Sequence, residues 1–210
     1  MTGQAMPETP DISATALGAR APLPQAIVTA LGPRAIVLVG MMGAGKSSIG
    51  RRLAAELAIP FVDADTEIEK AAGMSIPDMF ASKGEAYFRS GEARVIARLL
   101  DCGAQVLATG GGAFMNEQTR ALVREKGISI WLRADLDVLL RRVKRRNDRP
   151  LLKNDDPAVT LTQLMAQRDP IYAEADLTIQ SRDVPHEAIM TEILTALGQK
   201  LGVTVPEVSR

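Results

Sequence analysis

The run GMMGAGKS at residues 40–47 constrains this chain more than any other feature. It follows an apolar stretch, AIVLV at 35–39, and leads into a helical pattern at 46–58 in which Ile49, Leu53 and Leu57 share a face. A buried strand that ends in a glycine-rich turn and enters a helix is a phosphate-binding arrangement. The glycines let successive backbone N–H groups turn toward phosphate oxygens, and the helix N-terminus adds its dipole and free donors. Gly43, Ala44, Gly45, Lys46, Ser47 and Ser48 are therefore expected to bind a nucleoside triphosphate, with Lys46 at the β- and γ-phosphates and the Ser47 hydroxyl on Mg²⁺. A dinucleotide site fits badly. Counted from Gly43, G-x-G-x-x-G needs glycine at 48, where this chain has Ser48.

The rest of the chain repeats the strand-then-helix rhythm. Short apolar runs stand at FVD (61–63), QVLAT (105–109), ISIWL (128–132) and LTIQ (177–180). Helical patterns fall at 65–72, 77–82, 85–100, 116–126, 135–146, 160–173 and 185–200. This alternation predicts an α/β fold, a three-layer sandwich with a five-stranded parallel sheet. Residues 1–33 are rich in Pro and small polar residues. They are expected to form a disordered or partly helical N-terminal extension, with QAIVTAL (25–31) as its one helix and the folded domain running over 34–210. Residues 147–158 (NDRPLLKNDDPA) read as a polar loop.

Composition removes several function classes. Lys plus Arg and Asp plus Glu are both 25, so nothing favours a general polyanion binder, and no nucleic-acid partner is expected. One tryptophan, two tyrosines and four phenylalanines make a poor stacking platform for single strands. The single Cys102 and single His186 exclude a cysteine zinc site and paired imidazole ligands, and neither is given a functional role. Cys102 is taken as structural. No apolar stretch approaches the length of a membrane span and no signal-peptide pattern is evident, so a cytoplasmic protein with no membrane partner is expected.

The second metal ligand must come from elsewhere, because QVLAT ends in glycines instead of an acid. Asp63 and Asp65 stand at the end of the strand after the phosphate-loop helix. In an extended stretch residues two apart point the same way, so one carboxylate would hold a metal-bound water and the other a substrate hydroxyl. The alternative is a solvated loop with an acid capping the next helix.

These residues, together with the segment SIPDMFASKGEAYFRSGE (75–92), TGGGA (109–113), RNDRPLL (146–152) and RDPIYAEAD (168–176), resemble the shikimate kinases, small P-loop enzymes of aromatic amino-acid biosynthesis. The resemblance covers about residues 35–195. It implies a mobile lid at about 147–158 and transfer of the ATP γ-phosphoryl group to the 3-hydroxyl of shikimate, giving 3-phosphoshikimate and ADP. Residue by residue, it implies catalytic roles for Lys46, Asp65 and Arg149, and Mg²⁺ held by Ser47 and Asp63. It implies shikimate binding by Asp65, Arg89, Gly110, Gly111, Gly112 and Arg168. Arg142, Arg149 and Pro185 match positions on the ATP side. The chemistry agrees, since a substrate carboxylate in a closed pocket calls for guanidinium groups and its hydroxyls call for Asp65 and backbone N–H groups. Glu92, three residues after Arg89, is placed to orient that arginine.

ATP and shikimate are the expected partners and a monomer the expected state. Another small-molecule P-loop kinase, acting on gluconate or a nucleoside monophosphate, is the first alternative. A nucleotide-dependent regulator is the second. The stretch RRVKRRNDR (141–149) resembles a nucleic-acid patch, but zero net charge assigns it to nucleotide phosphates and a solvated face.

Overall fold

A computed structural model describes residues 22–144 and 156–203 of the chain. In chain order the elements are α1 (Leu23–Leu31), β1 (Ala35–Val39), α2 (Lys46–Leu57), β2 (Phe61–Asp63), α3 (Ala64–Ala72), α4 (Ile76–Leu100) and β3 (Val106–Ala108). A short 3-10 turn (Ala113–Met115) follows, then α5 (Glu117–Lys126), β4 (Gly127–Arg133), α6 (Leu136–Lys144), α7 (Pro157–Tyr172), β5 (Leu177–Gln180) and α8 (His186–Lys200). Among the described residues no helix is long and apolar enough to cross a membrane.

The five strands pair in the order β2-β3-β1-β4-β5, all parallel. β1 is the central strand. Val37 stands opposite Leu107 on one side and Ser129 on the other, and all five residues of AIVLV are fully buried. That is why the run shows no polar alternation: both faces are covered by helices. α2 packs across β1, β2 and β3 with α1 and α8 beside it. α5 packs against β4 and α4. The right-handed crossover rule puts α2 and α5 on opposite faces, because their connections leave the sheet in opposite directions.

That divergence makes the site. The chain leaves β1 toward β2, passing β3, whereas it leaves β3 toward β4, passing β1. The two loops part at the carboxyl ends of β1 and β3 and open a crevice between them. The phosphate loop and the Gly110–Gly112 run both lie there.

The patterns at 77–82 and 85–100 are, as the sequence predicts, two helical stretches that meet at Gly84 within α4, where a φ of 81° and ψ of 170° break the helical path. Two local differences from expectation have physical causes. Asp65 does not sit in extended chain: Asp63 caps α3, accepting from the Asp65 N–H at 3.2 Å, so the argument from strand alternation fails at this pair. Helix α7 begins at Pro157, with Asp156 Oδ1 accepting from Ala158 N at 2.9 Å, so the last residues of the expected lid are a capped helix start. The rest of the expected lid, with Arg149, lies outside the described residues, as does the N-terminal stretch before residue 22. Helix α1 packs on α8 and α2, and its Ile27 and Leu31 belong to the main core.

Candidate active site

The phosphate loop has the geometry that its sequence predicts. Gly45 caps α2 with φ 96°, a left-handed conformation that a side chain would strain. Lys46 Nζ donates to the carbonyls of Gly40 and Met41 at 2.7 and 3.0 Å, lying along the loop. Ser47 Oγ donates to Asp63 Oδ2 at 2.7 Å, which links α2 to the end of β2. Ser48 Oγ accepts from Arg52 Nη1 at 2.9 Å and lies 3.4 Å from His186 Nε2. The lone histidine thus stands at the phosphate loop, 138 residues away in sequence.

The glycine run organises the opposite wall, and each of its three residues meets a different predicted partner. A Cβ on Gly110 would stand 2.8 Å from Asp65 Oδ1 and 2.9 Å from Glu92 Oε1. The carbonyl of Gly111 accepts from Arg168 Nη1 at 3.2 Å. A Cβ on Gly112 would fall 2.5 Å from Arg89 Nη1. Side chains from α3, α4 and α7 therefore converge on one backbone segment, and the segment is glycine because they approach so closely.

Arg89 is held from two sides. Nη1 donates to Glu92 Oε2 at 2.7 Å, while Nε and Nη2 donate to Glu85 Oε1 at 3.2 and 3.0 Å. Its burial opposes the charge, but the hydrogen bonds and charges of Glu92 and Glu85 more than offset that, so its pKa is raised. Glu92 is buried, and burial raises its carboxyl above the ordinary range although the Arg89 hydrogen bond and charge pull it down. Among the described residues its Oε1 has no hydrogen-bond partner, and it faces the Gly110 backbone.

Lys46, Ser47, Ser48, Asp63, Asp65, Arg89, Glu92, Arg142, Arg168 and the glycine run all line one cleft of about 740 Å³. Arg142 lines it beside the phosphate loop, donating to Ser181 Oγ at 2.8 Å and Asp183 Oδ1 at 2.9 Å. Pro185 caps α8 outside the cleft lining, and Ala44 is buried beneath the loop. Within the basic stretch, Arg141 pairs with Asp137 and Asp183, and residues 145–149 lie outside the described residues. Cys102 is exposed after α4, its thiol donating to the Arg98 carbonyl at 3.5 Å, not packed in the core.

Several supporting residues escaped the sequence reading. The Tyr172 hydroxyl donates to the Gly111 carbonyl beside Arg168, and burial pushes this phenol up to about 12. Ser181 bridges Arg142 to the Ala44 carbonyl, which it reaches at 2.8 Å. Asp176 Oδ2 accepts from Ser129 N and Oγ at 3.0 and 2.8 Å. Tyr172 and Asp176 both stand in RDPIYAEAD, a segment in which only Arg168 was assigned. A buried tyrosine needs a partner for its hydroxyl, and that was the available signal.

A family model described as Shikimate kinase matches residues 42–198. The chain belongs to the shikimate kinase family. A shikimate kinase of Rhodopseudomonas palustris is 60% identical over 202 residues, covering 96% of this chain and 100% of that protein. One of Bradyrhizobium diazoefficiens is 65% identical over 171 residues, covering 81% of this chain and 83% of that one. Among solved structures, the shikimate kinase of Acinetobacter baumannii in complex with shikimate superposes with a TM-score of 0.76 at 38% identity, covering 80% of this chain and 94% of that chain. Shikimate kinases are phosphotransferases, and ATP-dependent phosphorylation of the shikimate 3-hydroxyl is the activity that membership gives this chain.

Proposed function

We propose that the cleft between the phosphate loop and the glycine run is where this shikimate kinase carries out its reaction, with ATP on the α2 side and shikimate on the α4 side. Lys46 swings from the loop carbonyls to the transferring phosphoryl group and offsets its charge. Asp65 holds the acceptor hydroxyl and takes its proton. Arg89 and Arg168 pair with the carboxylate, and the N–H groups of Gly110, Gly111 and Gly112 receive the remaining polar groups. Arg142 and Ser48 belong to the nucleotide. Pro185, set beside His186 at the start of α8, is assigned to the adenine edge. Arg149 keeps the role at the phosphates that the resemblance gives it. The observation that carries this reading is the glycine run, since Asp65, Arg168 and Arg89 each meet one of three successive residues in it.

The donor set suits Mg²⁺. Ser47 Oγ and Asp63 Oδ2 are hard oxygen ligands brought within 2.7 Å of each other. Mg²⁺ takes one or two such groups together with substrate phosphates, and the described residues hold no cluster of three or more acidic, histidine or cysteine ligands that would make a closed protein cage. Ser47 would bind the ion directly and Asp63 through water. Once bound, the ion neutralises phosphate charge. Cytoplasmic location and a monomeric state complete the reading.

The test is a cycle of enzyme and substrate changes read by coupled ADP release. Arg168→Lys keeps the charge and loses the fork onto two oxygens. It is expected to lower kcat/KM for shikimate by about ten- to a hundred-fold, with the ATP term nearly fixed. A shikimate analogue without the carboxylate is expected to be poor with wild type and to lose little more with the variant. Equal losses on both substrates would remove Arg168 from the carboxylate.

A further inference from the structure

The outer face of α4 carries a second cavity that the reaction does not use. It lies between α3 and α4 and has a volume of about 330 Å³. Ile68, Met79, Phe88 and Val95 form its apolar wall; the first three are buried as a small core cluster of their own, and Phe88 also lines the substrate cleft beneath Arg89. Arg89 and Glu92 face the opposite side of the same helix, toward the substrate cleft.

The rim of this cavity is cationic. Arg94 and Arg98 stand one helical turn apart, both exposed, and Arg94 Nε donates back to the Ser90 carbonyl at 3.3 Å. Among the described residues neither guanidinium pairs with a carboxylate, whereas Arg89, Arg120, Arg124, Arg141, Arg142 and Arg182 all do. Between the wall and the rim lies Gly91. Its backbone is helical, and a Cβ there would meet nothing within 4 Å. Neither conformation nor packing requires glycine at this helix-interior position, where glycine is a destabilising choice. Its effect is to leave the cavity open to the helix backbone.

An apolar wall with two unpaired guanidiniums at one edge selects a ligand with an apolar body and a single anionic end. A phosphate or nucleotide would leave the wall wet, and a neutral ring would leave the arginines unpaired. We propose that this cavity is a binding site for a small aromatic carboxylate, its ring on Phe88, Met79 and Val95 and its carboxylate on Arg94 and Arg98. A volume near 330 Å³ suits one ring with a short acid-bearing chain.

The probe is 3-phenylpropanoate, titrated into the full chain by ligand-observed NMR with the catalytic cleft filled by saturating shikimate and ADP. The neutral 3-phenylpropanamide serves as control. Binding by wild type is expected, with the amide about ten-fold weaker or worse, the loss expected for a missing charge-assisted bond. Arg94→Gln with Arg98→Gln is expected to weaken the acid by the same factor and leave the amide unchanged. Gly91→Leu, which fills the cavity, is expected to abolish both. These variants lie outside the catalytic machinery and are expected to keep the wild-type kcat and KM for shikimate, which reports that they fold. Displacement of the probe by shikimate and ADP, no binding to wild type in the millimolar range, or equal affinity in folded variants would each overturn the proposal.

Discussion

A methyl group on Gly112 would stand 2.5 Å from one terminal nitrogen of Arg89 and 2.6 Å from the other. The arginine is the far end of a flexible chain, so it can yield, but only by leaving Glu92 and the position proposed for the carboxylate. Gly112→Ala is therefore expected to raise the KM for shikimate about ten-fold or more, at the cost of a charge-assisted pair, with the KM for ATP little changed and the thermal midpoint lowered by the loss of the Arg89 partner of buried Glu92. Steady-state kinetics with each substrate varied in turn check this, and equal effects on both KM values would contradict it. Glu92 gives a pH signature. Its pKa is raised by burial, with the Arg89 hydrogen bond opposing. The folded state therefore holds this proton more tightly than the unfolded chain does. Its contribution to stability is present in full below the ordinary glutamate range and is lost as pH rises through the raised value. Glu92→Gln removes that linkage. Unfolding free energies of the two proteins should diverge in the variant's favour as pH rises across that window, and a difference independent of pH would count against it. The Arg89–Glu92 spacing was legible in the sequence as a helical i, i+3 pair. The unpaired Oε1 was not, because its cause is burial against the Gly110 backbone, 18 residues away in the chain.

Among the elements, β4, β5 and α8 meet at Asp176. Its Oδ2 accepts from Ser129 of β4, and its Oδ1 pairs with Lys200 of α8 at 2.9 Å. Burial works against this carboxylate, but the Ser129 and Lys200 bonds outweigh it and hold its pKa below the ordinary range. The stability it supplies is present above the unfolded aspartate range and is lost as pH falls toward the lowered value. Asp176→Asn is expected to cost about 1–3 kcal/mol at neutral pH. That is a fall of roughly 2–4 °C in thermal midpoint for each kcal/mol, with KM values unchanged because Asp176 does not line the cleft. Calorimetry beside kinetics checks both halves. Strand and helix positions were readable at this scale because they rest on local periodicity. The i, i+2 argument for Asp63 and Asp65 failed because α3 starts at Ala64. Both carboxylates still line the cleft, since a helix that starts at a strand end keeps its first turn at that edge.

At the scale of the whole molecule, the core reaches beyond residues 42–198, which the family model matches. Ile27 is fully buried and Leu31 nearly so, in the same core as the central strand, with α1 packed on α8 and α2. Ile27→Ala is expected to cost about 2–4 kcal/mol, the range for emptying a buried aliphatic site. The loss should appear as one cooperative shift, because α1 shares its core with the sheet. An unchanged denaturation midpoint would show that α1 docks independently of the domain. Kinetic constants are expected to stay near wild type, since the phosphate loop and the glycine run lie at the carboxyl ends of the strands.

The sequence by itself determined the phosphate loop, the five strands and the parallel α/β class, because each is written in short-range pattern: a strand, a glycine turn, a helix start. It also singled out Asp65, Arg89, Arg168 and the glycine run, through motifs that sit far apart in the chain and that the fold brings to one cleft. Only the tertiary structure decided the strand order β2-β3-β1-β4-β5, and with it the crevice between β1 and β3. Strand order is set by which buried faces pack together, and no local period encodes that. The same holds for the meeting of α3, α4 and α7 on Gly110, Gly111 and Gly112, for Tyr172 on the Gly111 carbonyl and for His186 at Ser48. Each joins residues whose separation in the chain is bridged only when the sheet closes the distance.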